Sequence, residues 1–272
     1  MIWRKTMREL WLIGFAYLAI LELLAIPVLL LWPEIYADLQ RSSLFKTIGV
    51  DFIKRIGDAV SGRDEEVAYI NWCATMLLFR SCNLVTTAAA VLIGVGLFAR
   101  ERENSTLEFL LARPVSRSSI LWQKLWPSLL VVVVPVFLVN ASAVPWSWSI
   151  ELDLPWWELF LGSMHAAIFG AAMLLMTTWA SIALRVQAHV AAVVGAFVVF
   201  QLGVYMTQRI RPYSLFRLVD FDWYGPILCG NKPAWQMFDP THGPGSGYTT
   251  YLLAACAVFY ALSWRALRRT TP

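Results

Sequence analysis

Long apolar runs alternate with short polar segments along this chain. Six of the runs are long enough to cross a hydrocarbon layer, which takes about 20 helical residues. They fall near residues 10–33, 73–99, 119–144, 159–184, 188–207 and 248–264. The last is short, and Arg265 beside it extends the reach to the head groups. The first is too long for a signal peptide. Leu31-Trp32-Pro33-Glu34 follows it in place of a small-residue cleavage site, so it is expected to be a retained anchor.

The connections carry patterns of their own. In 44–60, Phe45, Ile48, Phe52, Ile56 and Val60 recur at helical spacing, with Lys46, Lys54, Arg55 and Asp58 on other faces. This predicts an amphipathic segment that lies on the membrane surface or caps the spans. Segment 208–247 holds Pro212, Pro226, Pro233, Pro240 and Pro244 and too many apolar residues for a free loop. It is expected to dip into the bilayer as short re-entrant-like helices, which is allowed where protein or water satisfies the backbone. At the start of the chain, Ile2, Trp3, Met7 and Leu10 interleave with Arg4, Lys5 and Arg8, predicting a short interfacial helix.

Composition agrees with this pattern. Of 272 residues, 58% are hydrophobic and 15% charged, against about 45–50% and about 25% for soluble proteins. A soluble globule, a disordered chain and a secreted disulfide scaffold are excluded. The expected fold is an all-α integral membrane protein, one transmembrane domain over 1–272 with six transmembrane helices. The net charge of +4 is too small to point to nucleic acid. Its distribution is more informative. The two ends of the chain and the connections after the second and fourth runs hold 12 Lys and Arg with four acids. The other side holds nine basic and 13 acidic residues. The positive-inside rule then places both termini in the cytoplasm and turns 34–72 and 208–247 outward. Trp3, Trp11, Trp32, Trp72, Trp122, Trp126, Trp146, Trp148, Trp156, Trp157 and Trp264 lie near span ends, as an aromatic belt would.

Polar residues inside the spans are costly and stand out. Glu22 lies in the first run and Arg80 in the second. Their depths bring a Glu22–Arg80 pair within reach of the long Arg stem, as a packing ion pair or as part of a pathway. Arg80, Asn83 and Thr87 share one face of an α-helix, and so do Gln201, Tyr205 and Gln208. Either set is a candidate polar pathway or a set of interhelical hydrogen bonds. Gly162, Ala166 and Gly170 form a small-residue stripe that suits close helix contact.

Catalytic and metal signatures are not legible. Cys73, Cys82, Cys229 and Cys256 are scattered. His165, His189 and His242 are expected at different depths, and no nucleophile–base pattern appears. Glu65-Glu66 resembles the paired Glu of some intramembrane proteases, but no Arg follows at helical spacing. A phosphate-binding G-x-x-x-x-G-K-[ST] is absent from the sequence.

The connection after the second run reads Arg100-Glu101-Arg102-Glu103-Asn104-Ser105-Thr106-Leu107-Glu108-Phe109-Leu110-Leu111-Ala112-Arg113-Pro114-Val115-Ser116-Arg117, with Lys124 beyond it. Ser105 or Thr106 can cap a short helix with Glu108 in its first turn. Leu107, Leu110 and Leu111 would form an exposed apolar stripe, and Pro114 ends the helix. On physics alone this is a docking surface or a solvated charged loop.

The run E-R-E-x-x-T-L-E-x-L-L-x-x-P-V-S-R resembles the cytoplasmic connection of permease subunits in the type-2 ATP-binding-cassette (ABC) exporter family, and the six-span order resembles that family as well. The resemblance implies a coupling helix that rests on a separate ATPase subunit through Glu101, Glu103, Thr106, Leu107, Glu108, Leu110, Leu111, Pro114 and Arg117. It implies ATP and Mg on that partner, none bound by this chain, and a second permease copy or related permease across a pathway. It implies the inner or plasma membrane as the location. The aromatic, apolar span faces suit a lipid, peptide or amphiphile as cargo, and suit plain membrane packing equally well. The alternative class is a polytopic membrane enzyme, cofactor-binding subunit or scaffold.

Overall fold

The computed structural model describes residues 2–41, 51–61, 63–111, 115–184, 186–241, 243 and 245–269. The helices are α1 (Ile2–Leu30), α2 (Trp32–Arg41), α3 (Asp51–Val60), α4 (Glu65–Cys73), a π-helical stretch (Ala74–Val85), α5 (Thr86–Gly96), α6 (Ala99–Glu103), α7 (Thr106–Leu111), α8 (Arg117–Trp148), α9 (Trp156–Ala183), α10 (Gln187–Met206), α11 (Phe221–Leu228) and α12 (Tyr248–Arg269). Three short 3₁₀ turns lie between α10 and α12. No strand occurs among the described residues.

Among the described residues, six helical runs are long and apolar enough to cross a membrane: Trp3–Leu30, Glu65–Glu103, Arg117–Trp148, Trp156–Ala183, Gln187–Met206 and Tyr248–Arg269. The interfacial start of the chain is continuous with the first span. The second span begins earlier than its apolar run, with Glu65 and Glu66 in its first turn, where the helix dipole favours carboxylates.

The fourth span is the centre of the bundle, in contact with the second, third and sixth. Its apolar window is 78% buried, against 22% for the fifth span and 17% for the sixth. The first span packs along the third. Small residues permit the central contacts. A β-carbon at Gly170 would sit 2.5 Å from Thr86 Cγ2, and one at Gly162 would sit 2.8 Å from Leu78 Cδ1. Two sites of the small-residue stripe are thus close helix crossings. The third span carries Pro127, Pro135 and Pro145 within its helix, as transmembrane helices tolerate.

The aromatic belt needs one correction. Trp3, Trp11, Trp122, Trp126, Trp146, Trp148, Trp156 and Trp157 are exposed, as belt residues should be. Trp32 and Trp72 are buried instead. They pack on each other and Trp32 packs on Tyr69, and the Trp72 indole donates to the Val28 carbonyl at 3.1 Å. The amphipathic pattern of 44–60 is a helix over its described part, α3, with Ile56 and Val60 buried against the bundle. Phe45, Lys46 and Ile48 lie outside the described residues.

Candidate functional site

One end of the bundle gathers both chain ends and the connections around α6, α7 and the start of α10. α5 breaks at Leu97, and Ser181 of the fourth span closes the break. Its hydroxyl donates to Val95 O and accepts from the Phe98 and Ala99 N–H groups. Glu101 then becomes a hub. It accepts from Lys124 Nζ of the third span at 3.1 Å and from Lys5 Nζ of the first at 3.4 Å. The Thr106 hydroxyl also donates to its carboxylate. Lys124, buried, donates further to Leu97 O at 2.7 Å.

The neighbouring residues tie the same connection to other spans. Arg102 donates to Ile182 O and Leu184 O at the end of the fourth span. Glu103 Oε1 accepts from the Gln187 N–H at 2.7 Å, at the start of α10. Arg117 donates to Leu267 O and Arg268 O of the sixth span. The connection is thereby pinned to spans one, three, four and five, and Arg117 joins its exit to span six.

The expected Leu stripe is corrected in part. Among the described side chains of α7, Leu107 is buried against the bundle and Phe109 is exposed, at 76%. Ser105 takes a left-handed conformation, φ 54°, that redirects the chain between α6 and α7. Positions two apart stand about 200° apart around a helix, so Leu107 and Phe109 face away from each other. The backbone of Glu108, Leu110 and Leu111 lies in α7; their side chains, and Pro114, are outside the described residues.

The opposite end is built around Asp220, which is fully buried. Its carboxylate accepts from Arg55 Nη2 of α3 at 2.8 Å and from Arg217 Nη1 at 2.7 Å. The Tyr205 hydroxyl at the end of the fifth span donates to it at 2.7 Å. Asp220 also caps α11 by accepting from the Asp222 N–H. Arg55 bonds Asp222 as well and lies over the Phe221 ring at 4.4 Å. Burial alone would lower the Arg55 pKa; Asp220, Tyr205 and Asp222 outweigh it and hold the guanidinium above its ordinary value. His165 holds the same segment from the fourth span. One ring nitrogen bonds Leu218 O and the other bonds the Thr249 hydroxyl, both at 2.9 Å, and the ring packs on Trp223. Leu218 O can only accept, so Nε2 carries the proton and Nδ1 accepts from Thr249.

The proposed intramembrane pair is not formed. Glu22 accepts from the Ser142 hydroxyl of the third span at 2.9 Å, and Arg80 is exposed and lies 4.0 Å from the Met76 sulfur. The reason is the π-helical stretch, whose wider turns move Arg80 off the face expected from a 3.6-residue repeat. Asn83 and Thr87 stay inside: Asn83 donates to the Tyr224 hydroxyl at 3.0 Å, and Thr87 donates to Asn83 O. Gln201 and Tyr205 both serve the segment between α10 and α12, Gln201 by accepting from the Leu215 N–H and Tyr205 by donating to Asp220. Among the described residues no group of three or more His, Cys, Asp or Glu is placed to hold a metal ion.

Asp220, Arg217, His165 and Phe109 carry these sites without having been singled out from the sequence as site residues. Asp220 had one legible signal, an Asp immediately before a helix, which is a preferred N-cap.

The sequence model of the ABC-2 family transporter proteins matches residues 3–214. The chain belongs to that family. Comparison with the curated proteins gives no match. This ABC-2 permease is therefore a multi-pass membrane transport subunit. The match includes spans one to five and the connection with the Glu101 hub. Asp220 and the sixth span lie beyond it.

Proposed function

We propose that this permease is the membrane half of an ATP-driven exporter and that α6–α7 is its coupling element. Both termini and α6–α7 would face the cytoplasm of a cell in its inner or plasma membrane. A separate ATPase subunit, carrying ATP and Mg, would grip α7, and a second permease copy or a related one would complete the pathway. The cargo would be a lipid, peptide or other amphiphile. The observation that carries this reading is the Glu101 hub. A charged connection that only spaced two helices would need no buried Lys124 and no Ser181 clamp. Here a displacement of α6–α7 acts directly on spans one, three, four and five. Phe109 supplies the apolar anchor that a docking groove would bury.

The test uses Phe109→Asp in the assembled complex. Burying a Phe is worth about 1.5–3 kcal/mol. The substitution is expected to release the ATPase subunit during purification and to abolish transport-linked ATP turnover. The six spans should remain inserted. Retention of the partner at native stoichiometry with unchanged turnover would remove the coupling assignment.

A further inference from the structure

A polar cavity of about 360 Å³ lies at the Asp220 end, between α3, α4 and the segment through α11. Four charged side chains line it: Arg55, Asp58, Arg63 and Asp222. Arg55 and Asp222 are bonded to each other and belong to the Asp220 cluster. Asp58 and Arg63 are exposed, and neither forms an ion pair, with the other or with any side chain among the described residues. One cation and one carboxylate are thus left over around a single cavity. Arg55 Nη1 is enclosed and meets no acceptor among the described residues, so donor capacity is unused as well. The carboxamides of Asn71 and Asn231 add to the polar lining. Asn71 is held in place: its Nδ2 donates to Val67 O at 2.9 Å, and a β-carbon at Gly225 would sit 2.5 Å from its Oδ1. Glycine at 225 leaves room for that oxygen, which accepts from no donor among the described residues. The Arg63 charge reaches the Cys229 thiol, where it opposes the rise in pKa that burial causes. That puts Arg63 on the side of the cavity where Asn231 also lies.

We propose that this cavity binds a free α-amino acid, its carboxylate on Arg63 and Asn231 and its ammonium on Asp58 and Asn71 Oδ1. The charges match one for one. The left-over guanidinium takes the ligand carboxylate, a pairing that is charge-assisted and can be bidentate. The left-over Asp58 takes the ammonium, and Asn71 Oδ1, which can only accept, adds a second bond to it. An inorganic anion would leave Asp58 without a counter-charge, and a metal cation would do the same to Arg63. A zwitterion answers both. The apolar part of the lining is Ala59, Phe221 and Pro226 with Cys229. That suffices for a small side chain and is too little for an acyl chain, so the ligand is water-soluble and not a lipid. A bound amino acid would tie α3 to α4 and α11, the elements around the Asp220 cluster. The site goes beyond the coupling assignment and does not rest on it, because it needs no ATPase subunit.

The experiment titrates the full chain, purified in detergent, with L-leucine, L-serine and L-glutamate by isothermal calorimetry. At least one should bind saturably at millimolar concentration or below. For that amino acid, the amide lacks the carboxylate and the N-acetyl derivative lacks the ammonium. Each should bind at least about tenfold more weakly, as the loss of one charged hydrogen-bonded contact requires. Arg63→Gln and Asp58→Asn should each weaken the parent amino acid to a similar degree. Both positions are exposed and unpaired, so the unfolding midpoint without ligand should stay native. The amide and N-acetyl comparisons use the native chain and hold even where a variant unfolds. Absence of saturable binding by all three amino acids would overturn the proposal. So would an N-acetyl derivative that binds as tightly as its parent, which would make the cavity an anion site, or an unchanged affinity in both folded variants. Selective retention of dioleoyl phosphatidylethanolamine in native mass spectrometry, with no binding of the amino acids, would assign the cavity to a lipid headgroup and overturn the proposal as well. None of these results bears on Phe109, so this site and the coupling assignment fail separately.

Discussion

The two ends of the permease solve one problem in two ways. Each holds a carboxylate between two cations and a hydroxyl: Glu101 with Lys5, Lys124 and Thr106, and Asp220 with Arg55, Arg217 and Tyr205. Asp220 is sealed, with its side chain at 0% exposure, and two of its partners pack on aromatic rings, Arg55 on Phe221 and Tyr205 on Phe79. The Glu101 side chain retains 14% exposure and borders an open cavity, with Phe109 projecting nearby. A sealed cluster fixes geometry, since removing a partner strands a buried charge. A half-open cluster can be loaded from outside and pass the load on. On the coupling proposal the Glu101 end would be a handle, with the Asp220 end a cap.

The largest expected effect lies at the cap. Asp220→Asn leaves Arg55 and Arg217 with Asp222, an exposed carboxylate, as their counter-charge in place of the buried one. Breaking a buried pair in this way costs about 3–5 kcal/mol. Thermal unfolding in detergent should show a large loss, and Arg55→Met added to Asp220→Asn should recover part of it. A midpoint unchanged by Asp220→Asn would mean that the cap is held by His165 and the aromatic packing alone.

At the other end, Ser181→Ala should fall next in size. It orphans the Phe98 and Ala99 N–H groups at the α5 break, and an unmet buried donor costs about 1–3 kcal/mol. The loss should be local. Hydrogen exchange should rise across 97–103 and remain native around α11. Uniform exchange across the whole chain would mean that the two ends unfold as one unit and that the handle is not separately hinged.

Much of the architecture was legible because the bilayer constrains length and polarity so strongly. The six spans follow from the apolar runs, and the collection of both termini at one end follows from an even number of crossings. The small-residue stripe at Gly162 and Gly170 was readable because close crossings exclude a β-carbon. What escaped the sequence depended on local geometry that periodicity does not encode. The π-helical stretch turned Arg80 away from Glu22 and gave Glu22 to Ser142. The left-handed turn at Ser105 set the register of α7, so Leu107 packed inward and Phe109 outward. Trp32 and Trp72 share composition and position with the belt residues, and only packing on Tyr69 separates them. Asp220 and Arg55 are 165 residues apart, and no local pattern joins them.

The smallest stability effect should accompany the largest functional one, at Glu101. Glu101→Gln keeps the size of the side chain and one acceptor, so Lys124 retains Leu97 O and a neutral partner. The lost charge is partly replaced by water at this half-open site, which discounts the pair. A charged hydrogen bond contributes about 1.5–3 kcal/mol when fully enclosed; here about 1–2 kcal/mol is expected, below the Asp220→Asn loss. The functional consequence should be larger. Lys5 and Lys124 would no longer be bridged, so movement of α6–α7 would reach the first and third spans only through backbone. With the ATPase subunit still bound, ATP turnover should continue while transport per ATP falls several-fold. Phe109→Asp should do the reverse and lose the subunit itself. If Glu101→Gln instead destabilises as much as Asp220→Asn and leaves transport per ATP unchanged, both ends are caps and the handle lies elsewhere in the chain.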